Sequence, residues 1–138
     1  MDFSQFIASD APAIAEGAIV ERLRRDTSLP FDPHILNGGL IYDPAGCARL
    51  AEIHTDYIDG ARRNELPILV GTDTWRCSQR LVQASRFQGR PVNEDNVRFL
   101  KDLRDRQPEG PPIFIGGLTG PSGDAYKPAD SLSRAAAQ

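Results

Sequence analysis

Carboxylate and hydroxyl side chains follow two apolar stretches of this chain at the points where each stretch ends. Glu16 follows "PAIA", and the triplet "TDT" at residues 72–74 follows "PILVG". The carboxyl ends of parallel strands are where α/β proteins place their binding sites. Glu16 there could accept a charge-assisted hydrogen bond from the ammonium group of a ligand. The alternative is an ion pair with Arg22 or Arg24, and both interpretations stay open.

The segment "GTDTWRC", residues 71–77, combines polar groups with an aromatic wall. Thr72, Asp73 and Thr74 supply hydroxyl and carboxylate groups, and Trp75 supplies the ring. Small-ligand pockets typically have this mixture of apolar surface and few polar groups. The alternatives are that Asp73 caps the following helix and that Trp75, the only tryptophan, is a core residue.

The glycine-dense stretch "IFIGGLTGPSG", residues 113–123, raises the question of phosphate binding. A Walker loop requires a lysine directly after its last glycine. No lysine lies between Gly117 and Gly123, and Lys127 comes too late. The dinucleotide pattern Gly-x-Gly-x-x-Gly is also absent. We therefore predict a strand-to-helix loop that uses glycine and proline for tight turns.

Four side chains are candidates for a metal site, namely Cys47, Cys77, His34 and His54. A zinc site needs three or four ligands. Cys47 and His54 are seven residues apart on one predicted helix face, which separates them by ~10 Å. We interpret His54 as a core histidine whose hydrogen bonds are satisfied. We predict no metal site and no catalytic residue in this chain, because a Cys–His nucleophile pair has no local support either.

Short apolar runs alternate with amphipathic segments along the chain. Three strands are predicted, at residues 12–17, 67–75 and 111–117. Helices are predicted at residues 18–26, 44–63, 78–87 and 94–107, and a further helix begins near residue 129. This order predicts an α/β fold with a parallel sheet. The run at residues 68–70 lacks alternation, which predicts a strand buried on both faces.

The helix at residues 44–63 has the clearest signals. Asp43 suits the N-cap and Pro44 suits the first helical position. One continuous apolar face contains Cys47, Leu50, Ala51, His54, Tyr57, Ile58 and Ala61.

Two other segments carry weaker signals. The helix at residues 94–107 is predicted to be capped by Asn93, with Val97, Leu100 and Leu103 as its apolar stripe. Residues 27–43 are rich in turn formers and are predicted to be irregular. Their apolar side chains predict that they pack against the rest of the chain.

Composition limits the class of protein. The chain has 138 residues, 40% of them hydrophobic and 25% charged, which suits one soluble globular domain. A net charge of −3 excludes a basic surface for nucleic acid or an anionic membrane. The N-terminus lacks the features of a signal peptide, and the two cysteines form no disulfide framework. A cytoplasmic location is therefore expected.

Four segments, in order, resemble the N-terminal part of the homocysteine S-methyltransferase family. They are "EGAIVERLRRD", "DPAGCARLAEIHTDYIDGA", "GTDTWRCS" and "GGLTGPSGDAY". They resemble the opening strand and turn, the first long helix, and the ends of the second and third strands. The resemblance runs from about Ala13 to the end of the chain.

This resemblance implies a (β/α)₈ TIM barrel that transfers a methyl group to the homocysteine thiol to give methionine. Such barrels need roughly 250 residues, so the chain would supply about three of the eight strands. It implies a truncated or split segment without the family's zinc cysteines. Zinc is expected in the full-length family, none is predicted to bind this chain alone, and the chain alone is predicted to be inactive.

The resemblance also assigns substrate-binding residues. Glu16 would hold the amino group of homocysteine, and amides near Gly17 would meet its carboxylate. The thiol or methyl-donor side would be lined by Thr72, Asp73, Thr74 and Trp75, and another wall by Gly117 and Gly120. Three positions depart from the family pattern: Glu16 where Asp is usual, Asp73 where Asn is usual, and Trp75 where Tyr or Phe is common.

An alternative function is a non-catalytic α/β binding or assembly module that has lost the chemistry. The expected partners are homocysteine and a methyl donor if the barrel is completed, and otherwise a second copy of the chain or a C-terminal barrel partner. Unpaired edges on both sides of a three-stranded sheet predict self-association or poor solubility. Neither nucleic acid nor a membrane is an expected partner.

Overall fold

The computed structural model describes residues 1–121, which form three parallel strands, five α-helices and one 3₁₀ helix. The strands are β1 (Ile14–Ala15), β2 (Ile68–Gly71) and β3 (Ile113–Gly116). The helices are α1 (Phe3–Ile7), α2 (Ile19–Arg24), the 3₁₀ helix (Asn37–Tyr42), α3 (Pro44–Arg63), α4 (Gln79–Ala84) and α5 (Val92–Asp105). Gly123 and the helix predicted near residue 129 lie outside the described residues.

The three strands form one sheet in the order β1-β2-β3, and both pairings are parallel. Ile68 lies opposite Ile14 on one side and Ile113 on the other. The predicted α/β fold with a parallel sheet is therefore confirmed. Because the strands are parallel, their carboxyl ends lie at one edge, and the segments that follow them converge there.

One face of the sheet carries the core. Ile68 and Val70 of β2 pack against Ile58 of α3 and against Leu100 and Leu103 of α5. These side chains are all almost fully buried.

The opposite face is largely open, so the prediction that β2 is buried on both faces is wrong. Leu69, in the central strand, is 37% exposed. Helix α1 packs on the neighbouring Phe114, whose ring centroid lies 5.2 Å from that of Phe3 and 5.0 Å from that of Phe6. The apolar run at residues 68–70 has the pattern of a strand that is buried on both faces. Within residues 1–121, however, the long helices α3 and α5 pack on one face of the sheet only.

Helix α3 begins and ends where the sequence predicts. Asp43 accepts a hydrogen bond from the Gly46 N–H at 2.7 Å, and Pro44 is the first helical residue. Leu50, His54 and Ile58 follow at four-residue spacing and are buried. Their common face fixes the direction in which the His54 ring points.

Helix α5 differs from its prediction at the N-terminus. It begins at Val92, directly after Pro91, whose missing N–H costs nothing at that position. Asn93 therefore lies inside the helix and does not cap it, and its side chain donates to the Cys77 carbonyl at 3.1 Å. The buried face is Val92, Asn96, Leu100 and Leu103, whereas Val97 is only half-buried.

Residues 27–43 pack down as predicted, but they are not wholly irregular. Leu29, Ile35 and Leu40 are buried. Asp32 and Leu36 exchange two backbone hydrogen bonds at 3.2 and 2.9 Å, and the 3₁₀ helix follows.

All three strands are shorter than predicted, so Glu16, residues 72–75 and Gly117 lie in the loops after β1, β2 and β3. No helix within residues 1–121 has both the length and the apolar character needed to cross a membrane.

Candidate ligand-binding site

A cleft of about 770 Å³ lies at the carboxyl edge of the sheet. Residues that follow each of the three strands line it. Six of the eight predicted substrate-binding residues are among them: Glu16, Gly17, Thr72, Asp73, Trp75 and Gly117. The tertiary structure thus brings together side chains that come from distant parts of the sequence.

His54 joins the two carboxylates beneath this cleft. Its side chain is fully buried, with Nδ1 2.8 Å from Glu16 Oε2 and Nε2 2.9 Å from Asp73 Oδ2. The interpretation of His54 as a core histidine with satisfied hydrogen bonds is confirmed. Sequence reasoning did not identify its partners, which are the two carboxylates predicted for the site.

Both carboxylates are also held from their other side. Glu16 Oε1 accepts the Gly71 N–H at 2.6 Å, and Asp73 Oδ1 accepts from Asn37 Nδ2 at 2.7 Å. All four carboxylate oxygens therefore have a partner. We call this chain of five groups, from Asn37 through Asp73, His54 and Glu16 to the Gly71 amide, the carboxylate–histidine network.

The network raises the pKa of His54. Burial alone would lower it, but hydrogen bonds to Asp73 and Glu16, and the charges of these carboxylates, outweigh burial and raise the pKa to about 9. A pKa of about 9 favours the protonated ring at neutral pH, and that form can donate from both nitrogens. A buried charge flanked by two opposite charges is a strongly constrained arrangement.

The structural alternatives for Glu16, Asp73 and Trp75 are wrong. Arg22 forms an ion pair with Asp56. Arg24 Nη1 lies 3.5 Å from Glu21 Oε1, so neither arginine is the partner of Glu16.

Ser78 caps α4, as its hydroxyl accepts the Leu81 N–H at 3.4 Å, and Asp73 does not serve as that cap. Trp75 is 38% exposed and lines the cleft, so it is not a core residue.

Two threonines tie the loop after β2 to the loop after β3. The Thr72 and Thr74 hydroxyls lie 2.7 Å apart. Thr72 Oγ1 accepts the Leu118 N–H at 3.0 Å, and Thr74 Oγ1 donates to the Leu118 carbonyl at 2.8 Å. Both hydroxyls are thereby engaged in holding the wall of the cleft.

Thr74 and Gly120, the remaining predicted residues, line a second cavity of about 380 Å³ next to the first. A Cβ at Gly120 would lie 1.9 Å from the Trp75 carbonyl oxygen. Glycine is therefore required for the two loops to approach this closely.

Asn37 is the residue of the candidate site that sequence reasoning missed. It is buried in the 3₁₀ helix, and its side chain donates a hydrogen bond to Asp73. The next residue, Gly38, packs so tightly that a Cβ there would lie 2.3 Å from Cys77 Sγ and 3.0 Å from the Asp73 carbonyl oxygen. The "NGG" sequence was the available signal, because adjacent glycines after an apolar segment indicate close backbone approach.

Two strained residues also line the cleft. Leu36, directly before Asn37, has φ 49° and ψ −119°, and Ala18 has φ 54°. Positive φ is uncommon and costly for residues other than glycine. Such strain concentrates at functional sites, where surrounding contacts enforce it.

The described residues do not fit a zinc site. Within residues 1–121, no three His, Cys, Asp or Glu side chains are grouped so that they could hold a metal ion. Burial and the nearby Asp73 and Asp32 carboxylates raise the pKa of the Cys77 thiol to about 12. Burial also raises the pKa of Cys47. Both thiols therefore stay protonated at neutral pH, unlike metal ligands or nucleophiles.

Comparison with protein-family models, curated proteins and solved structures finds no match for this chain. The resemblance to homocysteine S-methyltransferases accordingly stays a prediction.

Proposed function

We propose that this chain forms the amino-acid-binding corner of a homocysteine S-methyltransferase-like TIM barrel. The observation that carries the proposal is the fixed carboxylate of Glu16 in a cleft at the carboxyl edge of parallel strands. A carboxylate held by His54 and the Gly71 amide needs no reorientation when a ligand ammonium group arrives. Preorganisation of this kind lowers the cost of binding.

The charges around the cleft suit a zwitterion. Its lining includes the acidic residues Glu16 and Glu21 and the basic residues Arg24 and Arg76. An α-amino acid carries an ammonium and a carboxylate group, so it can satisfy both signs at once. In this proposal Glu16 receives the ammonium group, and the backbone near Gly17 receives the carboxylate.

The role of this chain in methyl transfer is to bind and orient homocysteine. Zinc would favour the thiolate form of the substrate at neutral pH, and residues 1–121 do not provide a grouped set of ligands for it. The open face of the sheet would point into the barrel, where the remaining strands would complete the enclosure. Positioning of the thiol against a methyl donor supplies much of the catalysis in such a reaction.

Binding of L-homocysteine tests this proposal by isothermal titration calorimetry. The comparison ligand is 4-mercaptobutanoate, which keeps the thiol and the carboxylate but lacks the amino group. We expect it to bind at least about tenfold more weakly, and we expect Glu16→Gln to cost L-homocysteine a similar factor, since a charge-assisted hydrogen bond is lost.

Glu52→Gln is the matched control, because Glu52 is exposed on α3 and pairs with Arg49. It should leave the affinity unchanged. Equal binding of the two ligands, or no binding of L-homocysteine, would contradict the proposal.

A second candidate function is assembly through the open sheet face, favoured by the exposure of Leu69. Two copies could bury this face against each other without any chemistry. Leu69→Asp is then expected to convert a dimer into a monomer in sedimentation velocity experiments. The control is Gln83→Asp, on the exposed side of α4, which should leave the dimer intact. A wild-type chain that is monomeric at high concentration would exclude this function.

A further inference from the structure

The carboxylate–histidine network contains three ionisable groups but presents them unequally to the cleft. The Asp73 side chain is 3% exposed, and the Glu16 side chain is 10% exposed. One carboxylate oxygen of Asp73 is hydrogen-bonded to Asn37, and the other is hydrogen-bonded to His54. Glu16 is therefore the carboxylate with the larger surface towards a ligand.

The geometry of the hydrogen bonds favours two protons on the His54 ring. Each ring nitrogen faces a carboxylate oxygen, and the remaining oxygen of each carboxylate already accepts an N–H from Gly71 or Asn37. A neutral imidazole has one N–H, so one of its nitrogens would face a carboxylate oxygen with no proton between them. The ring with two N–H groups satisfies every contact.

We propose that the proton on His54 neutralises Asp73, so that Glu16 alone provides the negative charge that the cleft offers to a cationic ligand group. The trio of Glu16, His54 and Asp73 then carries a net charge of −1. Asp73 is a positioning residue that acts through His54, and Asn37 acts through Asp73. The ligand part of this inference rests on the proposed function, whereas the charge assignment does not.

No other charged group interferes with this assignment within the described residues. Helix α5 presents the Phe99 ring to His54, with centroids 6.2 Å apart. The 3₁₀ helix contributes Asn37, which is uncharged. Arg22 of α2 forms its ion pair with Asp56 on α3. Glu16 and Asp73 are therefore the charged groups that face the ring.

Asp73→Asn is the informative variant, because an amide fits the same hydrogen bonds. The amide oxygen can accept from Asn37, and its NH₂ group can donate to His54 Nε2. His54 then needs only the Nδ1 proton, which it donates to Glu16. The trio again has a net charge of −1, now with a neutral ring.

The proton count is measured by ¹⁵N NMR of the histidine ring in the full chain between pH 5 and pH 10. In the wild type we expect two ring N–H groups at pH 7 and a titration midpoint near pH 9. In Asp73→Asn we expect one ring N–H at pH 7 and a midpoint lowered by about two pH units or more. A neutral wild-type ring at pH 7, or an unchanged midpoint in the variant, would overturn the charge assignment.

Ligand-binding measurements distinguish a failure of the charge assignment from a failure of the proposed function. With L-homocysteine as the probe at pH 7, Glu16→Gln should lose about tenfold or more in affinity, and Asp73→Asn should lose less than Glu16→Gln. Equal losses in both variants would overturn the division of roles. If the wild type does not bind the probe, the proposed function fails, and the ring titration still decides the charge assignment. If Asp73→Asn does not fold, the titration of the wild-type His54 ring still tests the charge assignment.

Discussion

His54→Leu is expected to lower the free energy of unfolding by about 3–5 kcal/mol at pH 7. The substitution removes the imidazolium that separates Glu16 from Asp73 and leaves two buried carboxylates facing an apolar side chain. Removing one partner of a buried charge pair is costly, because the remaining charge keeps its desolvation penalty without its compensation. Urea denaturation followed by tryptophan fluorescence and circular dichroism measures the loss.

The matched control is His34→Leu, because His34 is the only other histidine and is half-buried. It should change the free energy of unfolding by no more than about 0.5 kcal/mol, the usual range for positions away from buried networks. A loss below about 1 kcal/mol for His54→Leu would show that the network contributes little to stability. Since small domains are stable by only about 5–15 kcal/mol, the expected loss is a large share of the total.

The second expected result is a fall in stability by about 3 kcal/mol as the pH rises from 6.5 to 9. Folding raises the pKa of His54 from 6.5 to about 9, and each pKa unit corresponds to about 1.4 kcal/mol. Below pH 6.5 the folded and unfolded chains both hold the proton, so the stabilisation is fully present. Between these values the folded chain binds more protons than the unfolded chain, so stability decreases as the pH rises.

Urea denaturation at half-unit intervals between pH 6 and pH 9 tests this slope. His54→Leu provides the control, since its stability should lack the decrease that the histidine causes. Measurements end at pH 9 because Cys77, with a pKa raised to about 12, makes stability fall at higher pH by the same linkage. A wild-type stability that is constant from pH 6.5 to 9 would contradict the protonated ring.

Local signals in the sequence were sufficient for the main helix and for the type of sheet. Asp43 and Pro44 specify the start of α3 through contacts within one turn, and its apolar spacing specifies the buried face. The alternation of apolar runs and helices was enough to predict parallel strands, because parallel strands require helical crossovers. Both kinds of signal involve residues that are close in the chain.

Other local signals were ambiguous. The apolar run of β2 does not say which side of the sheet is covered, so Leu69 was predicted to be buried and is exposed. Asn93 is a good cap residue, but Pro91 begins the helix earlier and leaves Asn93 to bond the Cys77 carbonyl. In each case a distant or neighbouring element decided between conformations that the local sequence allowed.

The candidate site illustrates the division between sequence and tertiary structure. The sequence by itself determined that Glu16 and residues 72–74 follow strands, because chain order and strand polarity place them at one edge. Only the tertiary structure decided that His54 lies between Glu16 and Asp73, which are 38 and 19 residues away, and that Asn37 holds Asp73. The physical reason is that the charge of a histidine depends on the groups that surround it in space, and residue spacing along the chain does not specify them.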